Sequence, residues 1–305
     1  MLRIHQMPWR GGIYRGWTAD CACPHGQGTL TVPGGDVYSG EWCNGDRHGT
    51  GRIRWANGEV YAGEWSGDAV HGRGEMRYAD GTVYDGMLRD WQKHGTGRIA
   101  YLSGMTYEGD FADNELTGYG TIVIPGSTTY VGDVLTGCMH GHGVSTCLDR
   151  QVTYTGDWRG DERHGHGTMH WPNGVTYTGE WRDGSKNGHG TMDWHNGISY
   201  TGEWRDGSEN GRGTMTWGDG STYTGEWRGG DMHGDGVYTQ THESADTVLW
   251  SFDGGFAHDR PTTGIISDFV NMRRVRLTFA ADCNRIFDDP VPEWHLSKRV
   301  VHVSG

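Results

Sequence analysis

The residues YTGEWRDGSKNGHGTMDWHNGIS, numbered 177–199, decide the fold, because residues 200–222 repeat them almost unchanged. The same unit of 23 or 24 residues can be followed along the chain by its leading tyrosine, which occurs at positions 14, 38, 61, 84, 107, 130, 154, 177, 200 and 223. A looser eleventh copy begins at Phe252. A fixed period of this length is the signature of an array built from one supersecondary unit. We therefore predict a repeat array over residues 14–264, preceded by an N-terminal lead-in, residues 1–13, and followed by a non-repeat C-terminal cap or tail, residues 265–305.

Apolar and polar residues alternate with a period of two inside each copy. Over residues 177–182 one face of the chain carries Tyr, Gly and Trp, and the other carries Thr, Glu and Arg. Such alternation predicts a half-buried strand, and residues 190–194 show it a second time. Pairs such as Asn173-Gly174 and Asn196-Gly197 predict tight two-residue turns, which need positive φ. Residues 183–187 predict a longer, irregular connection, so each copy is predicted to be a β-hairpin.

The composition supports an open sheet rather than a large core. The 305 residues include 54 Gly, 15 Trp and 14 Tyr. Because glycine has no side chain to bury, a doubly wound sheet or a large helical core is disfavoured, and the aromatic content argues against disorder. We predict an all-β protein, an elongated single-layer antiparallel sheet of tandem hairpins in which neighbouring copies stabilise each other.

Two columns of aromatic residues are predicted to form the core of this sheet and a groove along it. In the first column Trp follows the leading Tyr by four residues, and in the second an aromatic residue follows it by seventeen. The predicted aromatic groove, which is structural and a candidate for binding a partner, consists of Tyr38, Trp42, Trp55, Tyr61, Trp65, Tyr78, Tyr154, Trp158, Trp171, Tyr177, Trp181, Trp194, Tyr200, Trp204, Trp217, Tyr223 and Trp227.

The order Tyr-x-Gly-Glu-Trp, then x-x-Gly, then His-Gly-x-Gly, then an aromatic residue and Asn/Asp-Gly, resembles the MORN (membrane occupation and recognition nexus) repeat. The resemblance implies ten to eleven repeats in an elongated, twisted, single-layer sheet of hairpins with an aromatic groove. Similar arrays are non-catalytic scaffolds or targeting segments. Some are attached to lipid kinases or SET-type lysine methyltransferases, and others occur in junctional or cytoskeletal proteins. This sequence shows no kinase or SET motif outside the array.

The charge balance restricts the partners. The formal net charge is −13, from 26 basic and 39 acidic residues. Such a surface repels nucleic acid, so no nucleic-acid partner is predicted. Residues 1–10 lack the apolar run of a secretory signal, and six scattered cysteines predict reduced thiols rather than a disulfide framework. These observations predict a cytoplasmic protein, alternatively one held at a membrane or cytoskeletal surface.

Two columns of titratable residues invite a catalytic or metal-binding interpretation, which their repetition argues against. Histidine fills one position in seven copies, but Asn187 and Asn210 replace it elsewhere, so a hydrogen bond at a turn explains this position better than a metal. An acid follows the leading Tyr by three residues in eight copies, and equivalent sites offer no asymmetry for acid–base chemistry. In the regular copies, residues 154–240, an Arg two residues further on predicts charge pairing with that acid. No catalytic residue, metal or cofactor is predicted.

Two further features concern what the surface binds. Arg52, Arg54, Arg77 and Arg98 are candidate lipid contacts, with acidic residues close by. In the middle copies Met87-Leu88 replace the acid and the Trp, and Val134 replaces another Trp. Either the array tolerates this drift, or the smaller side chains open a bend or a pocket for a specific partner.

The main prediction for function is a non-enzymatic scaffold or adaptor that binds a partner protein through the aromatic groove. A peripheral membrane adaptor that binds phosphoinositides or other anionic lipids is the first alternative. A targeting subunit of an enzyme carried on another chain is the second. The array is also a candidate homodimer.

Overall fold

The computed structural model describes residues 3–20, 22–241, 248–270 and 273–278. All regular secondary structure in these residues is β-strand, and none of it is α-helix. The chain divides into two compact units, residues 1–208 and 209–305. Within each unit the strands pair antiparallel with their neighbours in sequence. The predicted all-β array of antiparallel hairpins is therefore confirmed.

The first unit is a run of hairpins with one strand following another. It contains β1 (Arg3–Trp9), β2 (Gly12–Thr18), β3 (Pro24–Thr31), β4 (Val37–Cys43), β5 (Asp46–Arg54), β6 (Val60–Ser66), β7 (Ala69–Arg77), β8 (Val83–Arg89), β9 (Gln92–Ala100), β10 (Thr106–Ala112), β11 (Glu115–Ile124), β12 (Thr128–Leu135), β13 (Cys138–Cys147), β14 (Val152–Arg159), β15 (Glu162–His170), β16 (Thr176–Arg182), β17 (Ser185–His195) and β18 (Ile198–Arg205).

The second unit continues the same pattern of strands. It contains β19 (Ser208–Thr216, whose first residue belongs to the first unit), β20 (Thr222–Arg228), β21 (Asp231–Thr241), β22 (Val248–Ala257), β23 (Arg260–Asp268) and β24 (Arg273–Thr278). β23 crosses the predicted end of the array at residue 264 and pairs with β24. The domain limits at residues 13 and 264 stay predictions, and residues 279–305 of the predicted cap or tail lie outside the described residues.

The leading tyrosines are buried because each ring lies across glycines instead of side chains. Gly179 and Gly190 stand directly opposite each other in β16 and β17. A Cβ on Gly190 would lie 2.6 Å from Cζ of Tyr177, so only glycine leaves room for the ring. The Tyr177 hydroxyl donates a hydrogen bond to the carbonyl oxygen of Glu180, 3.0 Å away, which satisfies its buried polar end. Tyr177 is consequently 0% exposed.

The first-column tryptophans join one hairpin to the next. The Trp181 ring lies edge-on between Tyr154 of the preceding copy and Tyr177 of its own, with centroid distances of 5.3 and 5.1 Å. Its Nε1 donates to the carbonyl oxygen of Gly167 at 3.1 Å. Edge-to-face contacts are the favoured geometry for aromatic pairs and add to the free energy of burial. The core is thus an alternating Tyr–Trp ladder, which explains why a single hairpin needs its neighbours.

The two kinds of connection differ from those predicted, except at Asn196-Gly197. Arg182 pairs with Ser185, so Asp183-Gly184 is a two-residue turn in which both residues have positive φ, 47° and 78°. By contrast, Trp171 and Val175 enclose a three-residue loop in which only Gly174 has positive φ, 83°. Asn196-Gly197, with φ of 57° and 75°, does form the predicted tight turn. The same three-residue loop joins Trp55 to Glu59 and Tyr78 to Thr82, where Ala56 and Ala79 stand in place of Pro172, so the loop does not depend on the proline.

A bulge after the tight turn at Asp183-Gly184 uses the acid and the first glycine of His-Gly-x-Gly. Residues 187–189 of β17 together oppose Glu180 alone, and Gly188 has a φ of 65°. Glu180 Oε1 accepts a hydrogen bond from the backbone N–H of His189 at 2.8 Å. The carboxylates at the equivalent position of other copies accept the same backbone N–H bond; these are Glu41, Glu64, Asp110, Asp133 and Asp157. The acid column therefore caps backbone amides.

The predicted pairing of that acid with the arginine two residues on is wrong in the copy that starts at Tyr154. Arg159 instead reaches Asp183 in the turn of the following hairpin, with 3.0 Å between Nη2 and Oδ1. Asp157, which was expected to hold Arg159, accepts the amide of His166. The bulge explains the change, since it turns the carboxylate toward the backbone rather than along the strand.

The cysteines depart from the prediction at one position. Cys43, Cys138 and Cys147 are free thiols, whereas Cys23 is disulfide-bonded. The prediction of reduced thiols is therefore wrong for Cys23. The wide spacing of the cysteines in the sequence argues against a network of several disulfides, but it does not exclude a single one.

Candidate functional site

Burial divides the predicted aromatic groove into an interior and a surface. Twelve of its seventeen residues are at most 7% exposed, and a partner cannot touch them without separating the hairpins; these are Tyr38, Trp42, Tyr61, Trp65, Tyr154, Trp158, Tyr177, Trp181, Tyr200, Trp204, Tyr223 and Trp227. The second column is only half-buried and comprises Trp55, Tyr78, Trp171, Trp194 and Trp217. The candidate role in partner binding can therefore belong only to the second column.

In the first unit the half-buried residues lie on the same side of the sheet as the leading tyrosines, which we call the aromatic face. Met192 stands opposite Tyr177, and Trp194 follows Met192 by two residues on β17, so both point to that side. Lys93 Nζ lies 5.5 Å from the ring centroid of Tyr78 and 5.8 Å from that of Tyr84, which places Tyr78 there too. The opposite side, which carries Thr, acids and Arg, is called the polar face.

Basic side chains lie on the aromatic face, over the rings of the first column. Lys186 Nζ is 3.9 Å from the ring centroid of Trp204, and Arg163 Cζ is 4.6 Å from that of Trp181. Arg47 stacks in the same way on Trp65, at 4.4 Å. Cation–π contacts of this kind are favourable, more so when they are partly desolvated. Sequence reasoning missed these residues, although each is the ninth after a leading tyrosine.

Two of the cations on this face have no carboxylate partner in the described part of the chain. Arg163 donates from Nη2 to the carbonyl oxygen of Gly184, 2.6 Å away, and from Nη1 to the sulfur of Met169. Lys93 donates to the hydroxyl oxygen of Tyr78 at 3.4 Å. Burial lowers the pKa of both Arg163 and Lys93 from their ordinary values. The aromatic face of this acidic protein therefore carries two cations that form no ion pair with the described residues, although Glu115 acts on Lys93 at longer range.

Trp91 is a surface aromatic residue that neither column predicts. It lies in the tight turn between β8 and β9, with a φ of 68°, and is 43% exposed. Its ring is 5.4 Å from that of Trp65 and 5.9 Å from that of Trp55. Leu88 holds the first-column position of this copy and is buried. Trp91 therefore restores, from the turn, an aromatic contact that the replacement by Leu88 removes.

The second unit has its own aromatic group around Trp217. The ring of Tyr238 lies 5.5 Å from that of Trp217, and Trp250 stacks on Tyr238 at 5.4 Å. Tyr238 and Trp250 also went unpredicted, because they stand outside the two columns as drawn from the regular copies.

The candidate lipid contacts lie on the polar face, mixed with carboxylates. Arg77 Nε forms an ion pair with Glu75 Oε1 at 2.8 Å. Arg98 stands directly opposite Asp85 on one side and Glu108 on the other. Arg52 and Arg54 are exposed on β5. The strands thus bring the four arginines to one face, without making that face uniformly basic.

The His and acid columns do not gather into a metal centre. No group of three or more His, Cys, Asp or Glu side chains in the described residues is arranged to hold a metal ion. His142 Nδ1 and Asp157 Oδ1 lie 3.2 Å apart across β13 and β14, as an exposed pair. No helix among the described residues has the length and apolar character to cross a bilayer.

Comparison with known proteins identifies the repeat. The family model described as "MORN repeat" matches residues 38–60, 61–83, 107–129, 154–176, 177–199, 200–222 and 223–241. No curated protein matches this sequence.

Two solved structures are weakly similar. The SAS-4 (dCPAP) TCP domain of Drosophila melanogaster, in complex with a proline-rich motif of Ana2 (dSTIL), aligns at a TM-score of 0.34 and 13% identity, over 58% of this chain and 90% of its own. A streptogramin B lyase aligns at a TM-score of 0.14 and 6% identity, over 92% of this chain and 88% of its own. At these scores neither likeness bears on fold or function. The seven matched segments, by contrast, cover just over half of the 305 residues. The chain belongs to the MORN repeat family.

Proposed function

We propose that the protein is a non-enzymatic scaffold or adaptor that binds a partner protein through the aromatic face of its first unit. MORN repeats are known in protein-binding and membrane-associated proteins, and the family is typically non-enzymatic. The observation that carries the proposal is the combination of half-exposed second-column rings with cations held over the buried column. Trp and Tyr are the residues in which interfaces concentrate binding energy, because each ring presents a large rigid area.

The chemistry of this face specifies the partner segment. Trp171 and Trp194 occupy equivalent positions one repeat apart, so they offer two apolar contacts in register. Arg163, on the strand that leads to Trp171, lacks a carboxylate partner among the described residues. A segment that inserts apolar side chains between the rings and presents an acid to Arg163 complements this arrangement in shape and in charge. We therefore expect an apolar segment, helical or extended, with acidic residues along it.

Capture followed by crosslinking tests the proposal. The full-length chain is used to pull partners from native lysate, and crosslinking mass spectrometry locates the contact. The Trp171→Ala/Trp194→Ala variant should lose the captured partner at least tenfold. The matched Thr168→Ala/Thr191→Ala variant, altered on the polar face of the same two copies, should retain it. Equal capture by the two variants, with circular dichroism showing both folded, would contradict binding at the aromatic face. Light scattering of the purified chain distinguishes a second copy as the occupant.

A second candidate, binding to anionic lipid, has one observation in its favour. Arg52 and Arg54 lie two residues apart on β5, both exposed, with no ion pair to either in the described residues. Electrostatic attraction to an anionic surface supplies about 1 kcal/mol per basic residue and weakens with salt. Vesicles of phosphatidylcholine with a tenth of phosphatidylinositol bisphosphate should then sediment the chain at low salt and release it at high salt. Sedimentation that the Arg52→Ala/Arg54→Ala variant leaves unchanged would rule out this surface.

A further inference from the structure

A cavity opens on the polar face, within the copies that depart most from the repeat. Its volume is about 690 Å³, and it extends across β8, β9, β10 and β11, with Arg73 of β7 at its edge. Six of the side chains that line it carry the argument below: Arg73, Asp85, Met87, Arg98, Glu108 and Tyr119. Cavities that hold small molecules or peptide side chains are commonly about 300–1,000 Å³. This cavity lies on the side of the sheet opposite the aromatic face, so it is independent of the function proposed above.

Met87 and Tyr119 form the walls of the cavity, and each replaces a polar residue of the regular copies. Met87 stands where Glu180 caps an amide in a regular copy, and Tyr119 stands where that copy has His189. Met87 is 41% exposed and Tyr119 is 60% exposed. Trp17 of the first copy also holds the position of Met87 and is 38% exposed, but it lies outside this cavity. Met87 and Tyr119 therefore place two apolar surfaces three strands apart within the cavity.

Two opposite charges lie between these walls without pairing. Asp85 is engaged by Arg73, at 3.4 Å, and Asp110 accepts the backbone N–H of Tyr119 at 3.0 Å. Arg98 on β9 stands directly opposite Glu108 on β10. Opposite charges in this position normally pair across the strands, yet neither Arg98 nor Glu108 takes part in an ion pair among the described residues. A guanidinium and a carboxylate are thus both available to a ligand.

We propose that this cavity binds a short extended peptide segment of a partner protein, with an acidic side chain on Arg98, a basic side chain on Glu108 and apolar side chains against Met87 and Tyr119. Four strands at about 4.8 Å spacing place the walls about 14 Å apart, and an extended chain covers this distance in about four residues. The Tyr119 ring also suits a cationic side chain on its way to Glu108. The departure of these copies from the repeat is then a binding feature rather than drift.

Selection from a random peptide library tests this proposal directly. Displayed random octapeptides are selected on the full-length chain and sequenced. The enriched peptides should carry an acid and a base within about four residues, flanked by apolar residues. The Met87→Glu/Tyr119→His variant restores the side chains of the regular copies. Glu fits at 87 because Gly95 beside it has a φ of 62°, close to the 65° of Gly188 beside Glu180. This variant should bind the selected peptides at least tenfold more weakly, and Arg98→Ala should do the same.

A control variant distinguishes binding in this cavity from binding at the aromatic face. Trp171→Ala/Trp194→Ala should leave the affinity for the selected peptides within twofold, even if it abolishes capture of a partner on the aromatic face. Selection that yields no peptide enriched over the Met87→Glu/Tyr119→His variant would overturn the proposal. It would also fail if the enriched peptides carried one sign of charge only. Phosphatidylinositol bisphosphate vesicles that bind through Arg98 in the absence of any such peptide would assign the cavity to lipid instead.

Discussion

The ring of Tyr177 covers Gly190 so closely that a methyl group on this glycine would lie 2.6 Å from Tyr177 Cζ. The same contact is made by the equivalent glycine in other copies, such as Gly167 with Tyr154 and Gly236 with Tyr223. Gly190 has ordinary strand dihedrals, and what excludes a larger residue is therefore space rather than backbone strain. The need to seat one buried tyrosine ring per hairpin thus accounts for the paired strand glycines, whereas the turn and bulge glycines are selected by positive φ.

Gly190→Ala should accordingly destabilise the chain by about 1–3 kcal/mol, the usual cost of forcing extra volume into a filled site. The adjacent Thr191→Ala change is the control, because Thr191 points to the polar face and its hydroxyl bonds only Thr201, at 3.0 Å. Surface changes of this kind stay within about 0.5 kcal/mol. Urea unfolding of both variants measures the difference. Equal midpoints would mean that the ring moves aside at no cost.

The buried tyrosines should also determine stability at high pH. Burial raises the pKa of Tyr107, Tyr130 and Tyr223 to about 12, from an ordinary value near 10. A raised pKa in the folded state gives stability that is fully present below about pH 10 and is lost as the pH rises toward about 12. Ultraviolet absorbance of tyrosinate should therefore show these tyrosines ionising at a higher pH in the native chain than in guanidinium chloride. Superimposable curves would contradict the burial of the rings.

The hairpin array was predictable because one local pattern repeats at a fixed period. Trp158, Trp181 and Trp204 each meet the Tyr of their own copy and of the preceding one, so the burial of these rings follows from the repeated alternation. The turns were harder to predict. Asp183-Gly184 can close the hairpin as a two-residue turn because the bulge at residues 187–189 accommodates the two residues of β17 that have no partner on β16. In the sequence, Gly188 is the only sign of that bulge. Strand alternation does not reveal such a bulge.

The candidate site was predictable only in part. Alternation places Trp181 and Trp194 on one face, but it does not say which of them the next hairpin covers. The structure shows that Tyr154 of the preceding hairpin packs on Trp181, whereas Trp194 stays half-exposed. Trp91 went unpredicted because it reaches the aromatic face from a turn, with positive φ, and turn residues obey no period. Which aromatic side chains are exposed is therefore determined by contacts between copies, and the pattern within one copy does not show it.

The cap on the bulge of the second copy gives a test at low pH. Hydrogen bonds from Thr50 hold the pKa of Glu41 below its usual range, first from the hydroxyl, at 2.7 Å, and then from the backbone N–H, at 3.0 Å. A lowered pKa in the folded state gives stability that is present above the ordinary value, near 4.3, and is lost as the pH falls below it. Carboxyl NMR titration should place Glu41 below that value. Thr50→Ala should move it upward, and no movement would contradict the contact.

The stability of the Tyr–Trp ladder should depend more on the packing of the Trp181 ring than on the hydrogen bond from its Nε1. Trp181→Ala empties a site that is 5% exposed and should cost about 3–5 kcal/mol. Trp181→Phe should cost about 1 kcal/mol, because it loses mainly the Nε1 bond to Gly167. Phe already occupies the equivalent position in another copy, because the Phe111 ring lies edge-on between Tyr84 and Tyr107, with centroid distances of 5.1 and 5.3 Å.

Hydrogen exchange on the same two variants should locate the effect. In an array the contacts are between neighbours, so Trp181→Ala should increase exchange chiefly in β14 to β17 and leave β4 to β7 protected. Trp181→Phe should leave both regions close to wild type. If Phe proved as costly as Ala, the bond from Nε1 to the Gly167 carbonyl would be the main contribution of this residue. Ring packing would then be a consequence of that bond rather than what holds successive hairpins together.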